Sequence, residues 1–132
     1  MRALLTLLLL ISLAGSAASA AEEKRPYDDK LLRIAEILGS IHYLRELCGA
    51  NDGPVWRNEM QALVESEGST VLRKARLVAS FNKGYRSFLR TYQACTASAE
   101  TAILRFLAEG AEITTKLVEK KPVPAAEPAP TP

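Results

Sequence analysis

The sequence predicts an all-α domain, a small up-down bundle of about four helices closed by one disulfide. Apolar residues recur at steps of three and four in four consecutive segments, which is the spacing of one helix face. Turn-forming residues separate those segments, and no segment alternates with the period of two that a half-buried strand requires. We therefore expect helices packed on helices, with no sheet.

The first helix is predicted over about residues 28–48. Asp28 or Asp29 is placed to cap its start, and Gly49 suits the left-handed conformation that ends helices. Between them runs an apolar line at helical spacing, formed by Leu31, Ile34, Leu38, Ile41, Leu44 and Cys48. We expect this line to face the core.

The second helix begins at the turn Asn51-Asp52-Gly53-Pro54, because proline suits the first helical position, and Gly68-Ser69 ends it. A third helix is then predicted from Ser69 or Thr70 to Cys95. Its predicted inner line is Val71, Ala75, Val78, Phe81, Tyr85, Phe88, Tyr92 and Cys95. Gly84 costs a helix about 1 kcal/mol relative to alanine, and residues 82–84 could form a turn. The unchanged phase across Gly84 favours one continuous helix.

Ser98 is predicted to cap a fourth helix. Its inner line consists of Ala99, Ala102, Ile103, Phe106, Gly110, Ile113 and Leu117. The helical domain is thus residues 28–119, preceded by a short lead over 21–27. Residues 120–132 are predicted to be a disordered tail rich in proline and alanine, because proline lacks the N–H group that helices and central strands need.

The first twenty residues are predicted to be a signal peptide. Arg2 precedes an apolar run of 12 residues from Ala3 to Ala14, and Ala18-Ser19-Ala20 is a cleavage site of the small-x-small kind. A bilayer-spanning helix needs roughly 20 apolar residues, so the run is too short to be an anchor. We expect cleavage after Ala20, export to the periplasm and no transmembrane span.

The two cysteines, Cys48 and Cys95, are predicted to form a disulfide, because the chain is sent to an oxidising compartment. Helices one and three end at the same end of an up-down-up-down bundle, where these residues lie. Helix two is shorter than helix three, so the bond requires the loop 49–53 to descend along helix one. Two separate buried thiols are the alternative. A metal site lacks ligands, since His42 is the only histidine.

Composition and motifs exclude several classes of function. Removal of Arg2 leaves 16 basic residues against 15 acidic ones, a balance that argues against a nucleic-acid-binding protein. The chain contains no glycine-rich phosphate loop, nucleophile elbow or metal-binding spacing, and we expect no cofactor. His42 has no identifiable nucleophile or orienting carboxylate, so a structural role is favoured. The aromatic line of helix three is typical of core packing.

The third helix carries the candidate binding residues. No acidic residue lies between Glu67 and Glu100, whereas six basic residues do. The candidate anion-binding or partner-binding set is Arg73, Arg76, Lys83, Arg86 and Arg90. The alternative is a solvated face neutralised by Glu36 or by acids of other helices. Trp56 and Arg57 form a second candidate contact, although Trp56 is most simply a core anchor.

Four motifs carry a resemblance to a known family: GSIHYLRELCG at 39–49, VWRNEM at 55–60, FNKGYRSFLRTYQACTASA at 81–99 and RFLAEG at 105–110, after RPYD at 25–28. Over about residues 25–112 the chain resembles a family of uncharacterised alphaproteobacterial exported proteins, a domain of unknown function. The resemblance implies a periplasmic protein of a Gram-negative bacterium. It implies no activity, substrate or catalytic residue.

Three hypotheses of function follow. The leading hypothesis is a non-catalytic interaction or structural module that binds an unknown protein. The second is peripheral binding to an anionic surface of the envelope through the basic face of helix three. The third is an enzyme of unrecognised type. A homodimer is also open, because amphipathic helices pair between chains as readily as within one.

Overall fold

The computed structural model describes residues 24–120 of the 132-residue chain. The predicted signal peptide, its cleavage position after Ala20 and the proline-rich tail from residue 121 onward lie outside these residues. The four helices are α1 (Asp28–Leu47), α2 (Gly53–Glu67), α3 (Val71–Thr91) and α4 (Ala97–Lys120). Residues 24–120 contain no strand, and the all-α class is confirmed.

The helices run up-down-up-down, with α1 at the centre. Asp28 at the start of α1 pairs with Arg73 near the start of α3, so these two helices are parallel. Arg33 of α1 instead meets Glu109, late in α4, so α4 is antiparallel to α1. Each of α2, α3 and α4 packs against α1, whereas α2 and α4 do not approach each other. Accordingly α1 supplies most of the buried side chains.

Two hydrophobic clusters lie along α1. One, around its first turns, is formed by Leu31, Ala35, Met60 and Leu77. The other, around its last turns, is formed by Tyr43, Leu44, Ala99 and Ile103. The predicted inner lines of α1 and α4 contribute to both clusters, because their apolar spacing matches a helix that is buried on one side.

The predicted inner line of helix three is wrong in its first half. Val71 and Val78 are 87% and 44% exposed, whereas Arg73 and Leu77 are buried. A charged side chain was expected to face solvent, but two carboxylates offset the cost of burying Arg73. The helix also ends at Thr91, before Cys95.

Two glycines set the close approach of α1 to α3. The prediction that α3 runs through Gly84 is confirmed. A Cβ atom on Gly84 would overlap the carbonyl oxygen of Glu36, and one on Gly39 would overlap the carbonyl oxygen of Phe81. The backbones of the two helices therefore lie in contact at this crossing, which only residues without a side chain allow.

The predicted disulfide between Cys48 and Cys95 is confirmed, and it joins residues 47 apart in sequence. Cys95 lies in the segment between α3 and α4, which begins where Tyr92 adopts extended backbone. The loop after α1 descends as predicted, since Gly53 lies beside His42 and Glu46, below the end of α1.

The predicted helix caps are corrected by the structure. Gly49 has the expected positive φ of 75°. At the start of α4 the hydroxyl of Thr96, and not Ser98, accepts the N–H of Ala99 at 3.1 Å. Asp28 does not cap α1, because its carboxylate accepts the N–H of Arg25 and pairs with Arg73.

Candidate functional site

His42 is buried at the contact between α1 and α3. Its ring lies 5.9 Å from the ring of Phe81 and 5.6 Å from that of Tyr85, measured between centroids. Its Nδ1 is 3.9 Å from Glu46 Oε1. His42 therefore fills space between two helices. Within residues 24–120, no group of three or more His, Cys, Asp or Glu side chains is placed to hold a metal ion.

Arg73 was predicted to belong to the anion-binding or partner-binding set, but its side chain is buried in the interior. Its guanidinium lies 2.7 Å from Asp28 Oδ1 and 3.7 Å from Glu67 Oε2, and its Nε donates to the Glu67 carbonyl oxygen at 2.7 Å. The hydrogen bond from Arg73 holds the pKa of the Asp28 carboxyl below its usual value, although burial opposes this. This cluster joins the start of α1 to the junction of α2 and α3.

We expect Asp28→Asn to lower the free energy of unfolding by about 2 kcal/mol at neutral pH, because a charge-assisted hydrogen bond is lost. The folded-state pKa of Asp28 lies below the ordinary value of 3.8. Its contribution is therefore complete above about pH 4 and is lost as the pH falls further. Urea titrations at pH 6 and pH 3 measure this difference.

The matched control for that prediction is Asp29→Asn. Asp29 is the next carboxylate along the chain, and it forms an exposed pair with Lys24 at 3.1 Å. Exposed pairs contribute little, so we expect a change within about 0.5 kcal/mol. Equal losses for the two variants, or an equal gap between wild type and Asp28→Asn at both pH values, would contradict the assigned role.

The remaining predicted cations lie on the exposed side of α3. Lys83 pairs with Glu36 of α1 at 3.0 Å, so this cation is neutralised by a neighbouring acid, as the alternative interpretation predicted. Arg76, Arg86 and Arg90 are exposed. These three cations lie on a helix that contains no acidic residue.

The exposed side of α3 also carries apolar residues. At 100° per residue, the exposed positions other than Lys74 and Thr91 span an arc of about 160°, opposite Leu77. We call this surface the outer face of α3. It has an apolar edge and a basic edge, and it comprises Val71, Leu72, Ala75, Arg76, Val78, Ala79, Asn82, Lys83, Arg86, Leu89 and Arg90. Sequence reasoning missed its apolar part, because three of these residues were assigned to the core.

The two residues of the second candidate contact, Trp56 and Arg57, lie in different surroundings. Trp56 is partly buried, and the guanidinium of Arg45 lies 5.8 Å from its ring centroid. Arg45 in turn pairs with Asp52 at 2.5 Å. Trp56, in the first turn of α2, therefore packs against Arg45 of α1, whereas Arg57 is exposed.

A groove of about 580 Å³ lies between the end of α3 and the first half of α4, and we call it the aromatic groove. It is lined by Phe88, Tyr92, Ala97, Ser98, Thr101, Ala102, Arg105, Phe106 and Glu109. The rings of Phe88 and Tyr92 are stacked with centroids 6.1 Å apart, and Phe106 meets Phe88 edge-on at 5.2 Å. Aromatic residues predicted as core thus form the walls of an open groove.

Contacts with α1 hold the walls of the aromatic groove in place. The hydroxyl of Tyr43 donates to the carbonyl oxygen of Tyr92. Arg33 donates two hydrogen bonds to Glu109, at 2.6 and 2.9 Å, and lies 5.7 Å from the ring centroid of Phe106. These bonds hold the pKa of the Glu109 carboxyl below its usual value. Glu109 is therefore an ionised carboxylate whose charge is already offset.

In the part of the chain that the structure describes, no helix has both the length and the apolar character needed to cross a membrane.

Comparison with known proteins gives one family. The profile of a family described as "Protein of unknown function (DUF2385)" matches residues 26–120, which contain all four helices and both cysteines. No curated protein and no solved structure matches the chain.

Proposed function

We propose that this chain, which belongs to the DUF2385 family of proteins of unknown function, is a non-catalytic interaction module of the alphaproteobacterial envelope. It acts in the periplasm after residues 1–20 have been removed. The arrangement of Arg2, the short apolar run and Ala18-Ser19-Ala20 supports export. The disulfide is consistent with an oxidising compartment.

The outer face of α3 is the observation that carries this proposal. Large aliphatic side chains are exposed there, beside cations that lie on a helix without acids. Exposed apolar residues grouped on one surface are typical of interaction sites. The neighbouring cations favour a partner with negative charge. The proposed partner is accordingly a protein with an acidic and partly apolar surface.

Reversal of two cations tests the proposed surface. We expect immobilised Arg86→Glu/Arg90→Glu to retain much less partner protein from a periplasmic extract than wild type does. The reason is that the charge of the outer face changes by four units. The matched control is Lys116→Glu/Lys120→Glu, which makes the same charge change at exposed positions of α4. The measurement is the amount of each retained protein at low and moderate salt.

An anionic membrane surface is the second candidate partner. The favouring observation is the division of the outer face into an apolar edge with Val71 and Val78 and a basic edge with Arg76 and Lys83. Helices that lie in the interface plane of a membrane combine an apolar strip with flanking cations in this way.

Binding to vesicles distinguishes the two partners, and it is measured with the same three proteins. If the surface binds lipid, wild type and control sediment with vesicles of 30% anionic phospholipid, and Arg86→Glu/Arg90→Glu does not. If it binds a protein, none of the three sediments with vesicles. Wild type and control then retain the partner from the extract, and Arg86→Glu/Arg90→Glu does not. Equal behaviour of both variants in both assays would refute the assignment of function to the outer face of α3.

A further inference from the structure

We propose that two copies of this chain pair through α4, with their α4 helices antiparallel and the Ala111 residues of the two copies facing each other. The pairing surface, which we call the outer face of α4, comprises Leu104, Leu107, Ala108, Ala111, Thr114, Thr115 and Val118. This inference goes beyond the proposed function, because it concerns a different helix and assigns a second copy of the chain as the occupant.

The outer face of α4 is exposed and contains no charged residue. Leu104 and Val118 are 68% and 61% exposed. The hydroxyls of Thr114 and Thr115 donate to carbonyl oxygens one turn earlier in α4, at 2.8 and 2.9 Å. Both threonines can therefore be covered without leaving a buried donor unpaired. Contact of this face with another surface removes apolar area from water, which favours association.

The residues of this face have the spacing of a helix seam. From Leu104 to Val118, exposed residues follow one another at steps of three, four, three and four, the repeat with which one helix packs along another. At 100° per residue, the face is turned by about 130° from the inner line of α4. Among the helices of residues 24–120, α4 packs against α1 only. None of these helices therefore covers the seam.

A second copy of this face is complementary to the first when the two helices run antiparallel. Around a two-fold axis at Ala111, residues equally far before and after it in sequence lie level with each other. Leu104 and Val118 are seven residues before and after Ala111, so each large side chain meets a large side chain of the other copy. The facing residues lie on opposite sides of the seam and interdigitate. The two alanines at the axis allow the helices to approach closely.

The charges beside the seam are complementary in this arrangement. Arg105 is six residues before Ala111 and Glu119 is eight residues after it. Measured along the helix axis, Arg105 of one copy is therefore within about 3 Å of Glu119 of the other. Neither residue forms a salt bridge within residues 24–120, and the symmetry forms the new pair twice. Glu112, the acid closest to the axis, is already paired with Lys116 of its own helix.

The parallel arrangement is disfavoured by Glu100. This residue is exposed one turn before Leu104, on the same side of α4. In a parallel pair the two copies of Glu100 would lie next to each other in the seam, and juxtaposed like charges oppose association. In the antiparallel pair they lie at opposite ends of the contact.

Sedimentation velocity of the full mature chain, residues 21–132, over a range of concentrations tests the pairing. We expect wild type to form a dimer and Leu104→Glu to raise its dissociation constant by about 100-fold, because each copy brings a charge into an apolar contact. The matched control is Val71→Glu, the same kind of change at an 87% exposed valine on the outer face of α3. It should leave the dimer unchanged. Far-ultraviolet circular dichroism reports that each variant has kept its helices.

Cysteine cross-linking tests the orientation of the two helices. Both native cysteines are joined to each other, so an introduced cysteine is the reactive thiol. We expect a short bismaleimide to couple two copies of Ala111→Cys. It should not couple two copies of Val118→Cys, because fourteen helical residues place these positions about 21 Å apart in the antiparallel pair.

Each outcome decides the proposal. A wild type that stays monomeric at all concentrations refutes it, as does equal weakening by Leu104→Glu and Val71→Glu. Dissociation by Val71→Glu alone would mean that the copies pair through the outer face of α3, which also overturns it. Coupling of Val118→Cys would show a parallel pair. Failure of Ala111→Cys to couple would show that the two alanines do not face each other, and either result overturns the antiparallel arrangement.

Discussion

Replacement of both cysteines, Cys48→Ala/Cys95→Ala, is expected to lower the free energy of unfolding by about 4 kcal/mol. The bond closes a separation of 47 residues, and a link across that length removes this amount of conformational freedom from the unfolded chain. For a domain of about 100 residues, the loss corresponds to a fall in Tm of about 20 °C. The same bond fixes the segment after α3, so the Tyr92 wall of the aromatic groove should also loosen.

Thermal unfolding of wild type and of the double variant, with and without a reductant, measures the effect. The double variant in reductant is the control. Wild type in reductant should approach the Tm of the double variant, whereas the double variant should not respond to reductant. The expectation fails if the variant melts within a few degrees of oxidised wild type. It also fails if reductant lowers the Tm of both proteins equally, because the effect would then not come from this bond.

The second large effect is expected at the crossing of α1 and α3. Gly84→Ala should destabilise the domain by about 3 kcal/mol, although alanine favours a helix by about 1 kcal/mol over glycine. Its Cβ would overlap the carbonyl oxygen of Glu36, and the hydroxyl of Ser40 would lie 2.8 Å away. Backbone cannot rotate aside as a side chain does, so the two helices have to separate. Gly39→Ala should act in the same way, through the carbonyl oxygen of Phe81.

Gly110→Ala is the matched control for the crossing. Gly110 also lies inside a helix, but the nearest atom to an added Cβ is Ile37 Cγ2 at 3.6 Å, an ordinary contact. There the helix propensity should prevail, with a gain of up to about 1 kcal/mol. Urea unfolding of the three variants measures the difference. A stabilising Gly84→Ala, or three equal changes, would mean that α1 and α3 do not approach at these glycines.

The sequence predicted the fold wherever a residue's local pattern decides its place. The apolar spacing, Gly49 and the two cysteines specified four helices and one covalent link. The same reasoning treated Gly84 as a defect in the helix, because a single sequence does not show which backbone lies opposite. It placed Arg73 in solvent, because the acids that offset its charge come from positions 28 and 67 and meet it only in the folded chain.

The candidate site was predicted less completely than the fold, for a related reason. The absence of acids on the third helix was visible in the sequence and remains the main feature of its outer face. The apolar edge of that face was missed, since Val71 and Val78 continue the spacing of the buried line. The aromatic groove was missed because a ring at helical spacing has the same pattern whether α4 covers it fully or leaves it partly open.

The disulfide also divides the chain topologically. The bond between Cys48 and Cys95 closes a covalent ring that contains all of α2 and α3, whereas α4 lies outside the ring and is joined to it by the residues after Cys95. A single proteolytic cut anywhere between the two cysteines therefore leaves both fragments joined. A single cut between Cys95 and the start of α4 instead leaves this helix without a covalent link to the rest of the domain. An oxidised molecule nicked within the ring thus gains only the mass of one water, and its two fragments separate only after reduction.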